Sequence, residues 1–128
     1  MIADKSIRVL VVDDYKSMVR IVRNLLNQLG FQNIDDASDG PAALELLKQR
    51  DYGLILSDWN MQPMTGYELL TAVRADLKTK KTPFVMVTAE SKTENVIAAK
   101  QAGVNNYIIK PFNLAVLKHK LTAVLGDM

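Results

Sequence analysis

The sequence predicts an α/β domain in which a parallel β-sheet is covered by helices on both faces. Short apolar segments alternate along the chain with longer segments whose apolar residues recur every three or four positions, and this alternation is typical of βαβ units. Several of the apolar segments also end in polar or charged residues. Because ligands of such sheets bind at the carboxyl ends of the strands, the sequence predicts a binding site at one edge of the sheet.

The first strand is predicted over residues 7–12 and the first helix over 17–29. Gly30 suits the position that ends this helix. The apolar stripe of the helix has spacings of three and four residues and consists of Met18, Ile21, Val22, Leu25, Leu26 and Leu29.

A second, weaker strand is predicted over 33–37, where the polar content favours an edge position in the sheet. Asp39 suits the cap of the helix that follows, and Pro41 suits its first turn. We expect the buried stripe of this helix to consist of Ala42, Leu44 and Leu47.

The third strand is predicted over 53–57, and the third helix over 67–75 carries an inward face of Leu69, Leu70 and Val73. The remaining strands are predicted over 83–87 and 106–109, and the remaining helices over 94–102 and 115–125. Because the second strand belongs at an edge, right-handed crossovers favour the flavodoxin-like order 2-1-3-4-5 in a three-layer sandwich. The switch point of that order lies between strands 1 and 3.

The composition excludes several classes of protein. A chain of 128 residues with 48% hydrophobic and 23% charged residues predicts one soluble domain over residues 1–128. The absence of cysteine excludes disulfides and thiolate chemistry. No apolar segment reaches membrane-spanning length or resembles a signal peptide, and a net charge of +2 is too small to indicate nucleic-acid binding. We expect a cytoplasmic protein without membrane insertion.

Acidic residues follow two of the predicted strands. Asp13 and Asp14 end the first strand and Asp58 ends the third, on either side of the predicted switch point. Three ionised carboxylates in one cleft repel each other unless a cation neutralises them, and oxygen ligands of this number suit Mg²⁺. The alternative is that Asp13 and Asp14 cap the following helix and that Asp58 starts a turn.

Lys110, at the end of the fifth strand, adds a positive charge beside these acids. A metal together with an ammonium suits a phosphoryl group, whose transfer depends on positioning and charge neutralisation. The Thr88 hydroxyl and the Ala89 backbone N–H could donate to phosphoryl oxygens, and a carboxylate can act as the nucleophile. The alternatives are a β-branched strand residue at Thr88 and a lysine that extends to solvent at Lys110.

These residues together resemble the receiver domain of bacterial two-component response regulators, over essentially the whole chain. The resemblance rests on Asp13, Asp14, Asp58, Thr88, Ala89, Lys110 and Pro111. Longer strings are similar to the chemotaxis regulators of the family, at residues 11–14, 57–61, 86–90 and 110–112.

The resemblance implies a role for each site residue. Asp58 would accept a phosphoryl group from the phosphohistidine of a sensor histidine kinase. Asp14, Asp58 and the backbone carbonyl of Asn60 would bind Mg²⁺, and Asp13 would act largely through water. Lys110, Thr88 and the Ala89 N–H would contact the phosphoryl oxygens.

The same resemblance implies switching and output residues. Tyr107 would move with Thr88 as a switch, although without the resemblance Tyr107 is a core aromatic. Asn60 and Glu90 would tune hydrolysis and give a short-lived signal. The face of the fourth helix, fifth strand and fifth helix would dock partners, with Lys92, Tyr107 and Lys120 as candidates; the alternative for the lysines is plain solvation.

We therefore expect a monomeric, stand-alone regulator without an effector domain, which is not an enzyme. Its expected partners are the sensor histidine kinase, a flagellar motor switch protein and a phosphatase. One departure from the family is the loop 61–66, where the proline is displaced by one position and Thr65 replaces an acidic or amide residue. The alternatives are a phosphate sink or phosphorelay shuttle, a degenerate receiver that is a constitutive interaction module, and a haloacid-dehalogenase-like phosphatase.

Overall fold

The computed structural model describes all 128 residues and confirms the predicted fold, with a five-stranded parallel sheet in the order β2-β1-β3-β4-β5. In chain order, the elements are β1 (Val9–Val12), α1 (Lys16–Gln28), β2 (Ile34–Ala37), α2 (Gly40–Gln49), β3 (Leu54–Ser57), α3 (Gly66–Ala75), β4 (Phe84–Thr88), α4 (Thr93–Gln101), β5 (Asn106–Ile109) and α5 (Leu114–Leu125).

Both faces of the sheet are buried, which explains the nearly continuous apolar strands. Successive residues of β1 alternate between two clusters, since Leu10 and Val12 lie in one and Val9 and Val11 in the other. Residues of α2, α3 and α4 complete the first cluster, and residues of α1 and α5 complete the second. The result is the predicted three-layer arrangement, with β2 at one edge as expected from its polar content.

The strand boundaries differ from the predicted ones by one or two residues. β1 begins at Val9 rather than at residue 7, because Val9 is the first residue paired with both neighbouring strands. β4 includes Thr88, which pairs with Ile109 of β5. Both differences arise from pairing between strands that are distant in sequence.

Of the buried stripe predicted for α2, Leu47 is confirmed, Leu44 is half-buried against the core, and only Ala42 was wrong. Ala42 is exposed, whereas Ala43 and Leu47 are buried. Because α2 begins at Gly40, Ala42 lies in the first turn beside the Asp39 cap, and its backbone N–H bonds that cap. In α1 the predicted stripe is wider than the buried face, since Ile21 is exposed.

Several helix ends match their local sequence. Gly30, with φ of +103°, follows α1 in the left-handed conformation, and its N–H and that of Phe31 bond the last free carbonyls of the helix. Asp39 caps α2 as predicted. None of the helices is both long and apolar enough to cross a membrane.

Candidate functional site

The sheet register brings Asp13 and Asp58 side by side. Val12 pairs with Ser57, so the residues that follow leave neighbouring strands at the same level. Both aspartates are buried, whereas Asp14 is exposed at the rim. Carboxylate oxygens of Asp13, Asp14 and Asp58, one from each residue, lie within 4.8 Å of one another, so the three predicted acids form one cluster.

Lys110 lies against this cluster. Its backbone N–H donates to the Thr88 carbonyl at 2.9 Å, which continues the pairing of β4 and β5. Its ammonium donates to Asp13 Oδ2 at 2.9 Å and lies 3.6 Å from Asp58 Oδ2. The ammonium therefore lies within 4 Å of two of the three carboxylates, and its single positive charge is smaller than the negative charge of the cluster.

The electrostatics of Asp13 reflect this crowding. Burial raises the pKa of the Asp13 carboxyl above its usual range. The Tyr15 backbone N–H and the Lys110 ammonium offset this rise in part, and the charge of Asp58 adds to it. An oxygen-only donor set with excess negative charge fits a hard divalent cation.

Asp58 is held by its own backbone. Its N–H donates to the Val12 carbonyl at 3.0 Å, and its Oδ1 accepts the Trp59 N–H at 2.7 Å. The other carboxylate oxygen, Oδ2, is the one nearest the Lys110 ammonium. The carboxylate thus has one oxygen fixed by a backbone donor and one directed toward the charged side chain.

An open cavity of about 420 Å³ lies over the cluster. Asn60 and Ala89 line it together with Asp14, Asp58 and Lys110, as expected for these positions. Thr88 does not line it: its side chain is buried, and its hydroxyl accepts the Glu90 N–H at 3.2 Å. Asp13 and Glu90 do not line the cavity either. The structure therefore brings Asp14, Asp58, Asn60, Ala89 and Lys110 to one cavity, joins Asp13 to them through Lys110, and leaves Thr88 and Glu90 outside it.

The protein family follows from comparison with known proteins. The response regulator receiver domain family matches residues 9–122. This chain belongs to that family. Chemotaxis protein CheY-3 of Vibrio cholerae is 50% identical over 123 residues, which cover 96% of this chain and 95% of that protein. Chemotaxis protein CheY of Pseudomonas aeruginosa is 49% identical over 117 residues, which cover 91% and 94%.

Solved structures of receiver domains have the same fold. The chemotaxis response regulator CheY4 of Vibrio cholerae matches with a TM-score of 0.87 and 36% identity, covering 94% of this chain and 99% of that chain. The receiver domain of sensor histidine kinase PA1611 from Pseudomonas aeruginosa, solved with a magnesium ion in its active-site cleft, matches with a TM-score of 0.84 and 26% identity, covering 95% and 99%. CheY is itself a known example of this strand order.

Tyr107 of this receiver domain is connected to Thr88 through one residue. Tyr107 is buried, and its hydroxyl donates to the Glu90 carbonyl at 2.8 Å, while the Glu90 N–H donates to Thr88. Burial, with the nearby charges of Glu90 and Asp58, raises the pKa of Tyr107 to about 12. The phenol is therefore a neutral donor at physiological pH.

The Glu90 carboxylate supports the start of α4. Hydrogen bonds from the Asn95 side chain and the Lys92 N–H hold the pKa of Glu90 below its usual range. Lys92 occupies the N-cap position of α4, but its side chain makes no capping hydrogen bond. The loop from Thr88 to α4 is therefore joined both to the acidic site and to Tyr107.

A second cavity, of about 360 Å³, opens on the predicted output face of this receiver domain. Tyr107 and Lys120 both line it, but Lys92 does not. Lys100 and Ile109 line it as well. Lys100 lies on the fourth helix, which was predicted to form part of this face, whereas Ile109 was not predicted. Its position at the end of β5 could have indicated it, because that strand also belongs to the predicted face.

Sequence reasoning also missed residues of the acidic site. Tyr15 and Met18 line the cavity, although Met18 was assigned only to the apolar stripe of α1. The direct succession of Asp14 and Tyr15 was the available signal. Ser57, which precedes Asp58, was predicted to end the third strand and belongs to the segment 57–61 that carries the resemblance, but no role was predicted for it.

Proposed function

We propose that this receiver domain accepts a phosphoryl group on Asp58 from the phosphohistidine of a sensor histidine kinase. The observation that carries the proposal is the convergence of three carboxylates and the Lys110 ammonium, at 2.9 Å from Asp13 and 3.6 Å from Asp58, beneath an open cavity. Asp58 is the one member of the cluster that both lines the cavity and lies within 4 Å of the Lys110 ammonium. Family membership supports the same assignment.

The donor set fits Mg²⁺ as the cofactor. Asp14, Asp58 and the backbone carbonyl of Asn60 would hold the ion, with Asp13 acting largely through water. When bound, Mg²⁺ supplies positive charge that neutralises the carboxylates and the oxygens of an incoming phosphoryl group. The assignment is supported by the excess of negative charge at the site, where three carboxylates lie beside the single Lys110 ammonium.

The remaining site residues would contact the phosphoryl group or transmit its arrival to the output face. The Lys110 ammonium, already between two carboxylates, would contact the phosphoryl oxygens, and the Ala89 N–H would donate to them from the cavity wall. The Thr88 hydroxyl must turn from the Glu90 N–H to reach the same group. Because Glu90 also accepts from Tyr107, that turn would pass the signal to the output face as the switch of Thr88 and Tyr107.

We further propose that the protein acts in chemotaxis, as a single receiver domain over residues 1–128 that controls flagellar rotation. Two relatives about half identical to this chain bear chemotaxis names, and they are covered over 94–95% of their length. Its partners would be a sensor histidine kinase, a flagellar motor switch protein and a phosphatase. Tyr107 and Lys120 beside the second cavity, and Lys92 at the start of α4, would contact them.

We propose that the protein is a phosphoacceptor rather than an enzyme acting on other substrates, and that Asn60 and Glu90 set the lifetime of the phosphorylated state. Asn60 lines the acidic cavity directly. Glu90 can act through the position of the loop that joins Thr88 to α4.

Trp59 provides a test because its N–H bonds the proposed acceptor. We expect its fluorescence to change on addition of Mg²⁺ and again on addition of acetyl phosphate. Asp58→Asn should abolish the second change. A wild-type protein whose signal responds to neither addition, and which forms no acyl phosphate, would refute the proposal.

The choice between a motor regulator and a phosphate sink or shuttle depends on partner capture. Phosphorylated protein should retain a flagellar switch protein on an affinity column, whereas unphosphorylated protein should retain much less. Capture of kinase alone in both states would favour the sink or shuttle. Lys120→Ala provides a variant on the proposed face that leaves the acidic site intact.

A further inference from the structure

Ser57 lies directly before the acceptor and is fully buried at the end of β3. Its hydroxyl donates to the Asp58 carbonyl at 2.9 Å. Because β3 ends at Ser57, the Asp58 carbonyl takes no part in strand pairing, and no backbone N–H donates to this carbonyl. The Ser57 hydroxyl is therefore the hydrogen-bond donor for a carbonyl at the floor of the site.

The peptide group between Asp58 and Trp59 is held at both ends. Its carbonyl accepts from Ser57, and its N–H donates to Asp58 Oδ1 at 2.7 Å. Because a peptide group is planar, fixing the direction of the carbonyl also fixes the direction of the N–H. The Ser57 hydroxyl thereby fixes the direction of the Trp59 N–H, and this N–H orients the Asp58 carboxylate.

Gly66 closes the other side of the same carbonyl. A Cβ at this position would overlap the Asp58 carbonyl oxygen and lie 2.9 Å from Trp59 Cα. The Gly66 N–H donates to the Trp59 carbonyl at 2.8 Å. The first residue of α3 therefore packs against the backbone of the acceptor, and only glycine fits there without movement of that backbone.

We propose that Ser57 and Gly66 are positioning residues for the phosphoacceptor. They touch neither the phosphoryl group nor the metal; they hold the peptide group of Asp58 and Trp59 so that Oδ1 stays bonded to the Trp59 N–H and Oδ2 faces Lys110. The inference rests on the proposed function for its consequence in phosphorylation, but the geometry it describes exists without metal or phosphodonor.

The first test measures hydrogen exchange of the Trp59 N–H by NMR in protein without metal or phosphodonor. Ser57→Ala should accelerate this exchange several-fold, because local opening becomes easier when the carbonyl loses its donor. Thr79→Val is the matched control: the Thr79 hydroxyl is also buried and donates to a carbonyl, that of Val73 at 2.8 Å, but far from the site. It should leave the exchange of the Trp59 N–H unchanged.

The second test measures Mg²⁺ affinity through Trp59 fluorescence and the rate of phosphorylation by acetyl phosphate. Ser57→Ala should weaken Mg²⁺ binding by roughly tenfold, as found for residues that orient metal ligands, and should slow phosphorylation. Thr79→Val should alter neither. Gly66→Ala should act in the same direction as Ser57→Ala, and Gly53→Ala, at the other end of β3, should not.

Trp59 exchange that stays unchanged in Ser57→Ala, or that rises equally in Thr79→Val, would overturn the inference. Failure of the wild-type protein to bind Mg²⁺ or to be phosphorylated would refute the proposed function instead. The exchange comparison still decides the positioning role in that case, because it requires neither reaction.

Discussion

At the scale of single residues, Asp13 is a charged residue of the site that lowers the stability of the folded protein. Its side chain is buried among carboxylates and shares one ammonium with Asp58. Burial dominates the balance and raises its pKa. The folded protein therefore binds a proton at Asp13 more tightly than the unfolded chain does, and ionised Asp13 opposes folding at neutral pH.

We expect Asp13→Asn to raise the melting temperature at pH 7 in the presence of a chelator, by about 2–4 °C. The amide keeps an oxygen for Lys110 but removes the buried charge. Thermal unfolding followed by circular dichroism measures the effect. Asp51→Asn, at a side chain that is 95% exposed, should not change the melting temperature. A lower melting temperature for Asp13→Asn would mean that the ion pair with Lys110 outweighs burial.

Asp35 has the opposite balance. Partial burial raises its pKa, but the hydrogen bond from Tyr52 and the charges of Arg50 and Arg8 outweigh burial and leave the pKa below its usual range. A carboxyl with a depressed folded pKa stabilises the protein above its unfolded pKa, and this contribution is lost as the pH falls through the folded value.

Asp35→Asn should therefore destabilise the protein at pH 7 and make its stability less sensitive to acid. Urea unfolding at pH 7 and near pH 3 measures both effects. The difference between wild type and variant should shrink at the lower pH. A difference that is as large at the lower pH as at pH 7 would contradict the assignment.

At the scale of elements, the start of α3 explains why Thr65 can stand where the family has an acidic or amide residue. Thr65 caps the helix by accepting the Glu68 N–H at 3.1 Å, and the Glu68 carboxylate accepts the Thr65 N–H at 3.0 Å. Threonine, aspartate and asparagine all serve as N-caps. The replacement at Thr65 thus keeps the start of α3 beside the acceptor, and the capping box was readable as Thr-x-x-Glu but was not predicted.

Thr65→Ala should lower the free energy of unfolding by about 1 kcal/mol, because the first turn of α3 loses its cap. Thr65→Asp should largely preserve it. Chemical denaturation provides the measurement, and Thr71→Ala, in the middle of the same helix, is the control. Equal losses for Thr65→Ala and Thr71→Ala would show that the cap contributes nothing specific.

At the scale of the whole molecule, the strand order and the acidic cluster were predictable because both follow from hydrophobic pattern and chain connectivity. Alternating strands and helices limit the topology, and parallel strands bring their carboxyl ends to one edge. Thr88 shows the limit of this reasoning: its hydroxyl bonds the backbone of the next loop instead of facing the cavity. Such orientations depend on contacts between side chain and backbone that the hydrophobic pattern does not describe, and the error at Ala42 likewise arose because the pattern did not show where the first turn of α2 begins.

Metal binding should stabilise the whole domain, since the cluster exists only in the folded chain. At a Mg²⁺ concentration ten times its Kd, the gain should be about 1.4 kcal/mol. Asp14→Ala should diminish the rise in melting temperature, while Asp51→Ala should retain it. Equal Mg²⁺ dependence in wild type and Asp14→Ala would disprove this site.

The most direct test of the central claim is the location of the phosphoryl group. After incubation with acetyl phosphate and Mg²⁺, intact mass spectrometry should detect one added phosphoryl group, and borohydride reduction followed by peptide mapping should assign it to Asp58. The modification should be absent without Mg²⁺ and in Asp58→Asn. A wild-type protein that remains unmodified, or a phosphoryl group that maps to another residue, would contradict the account.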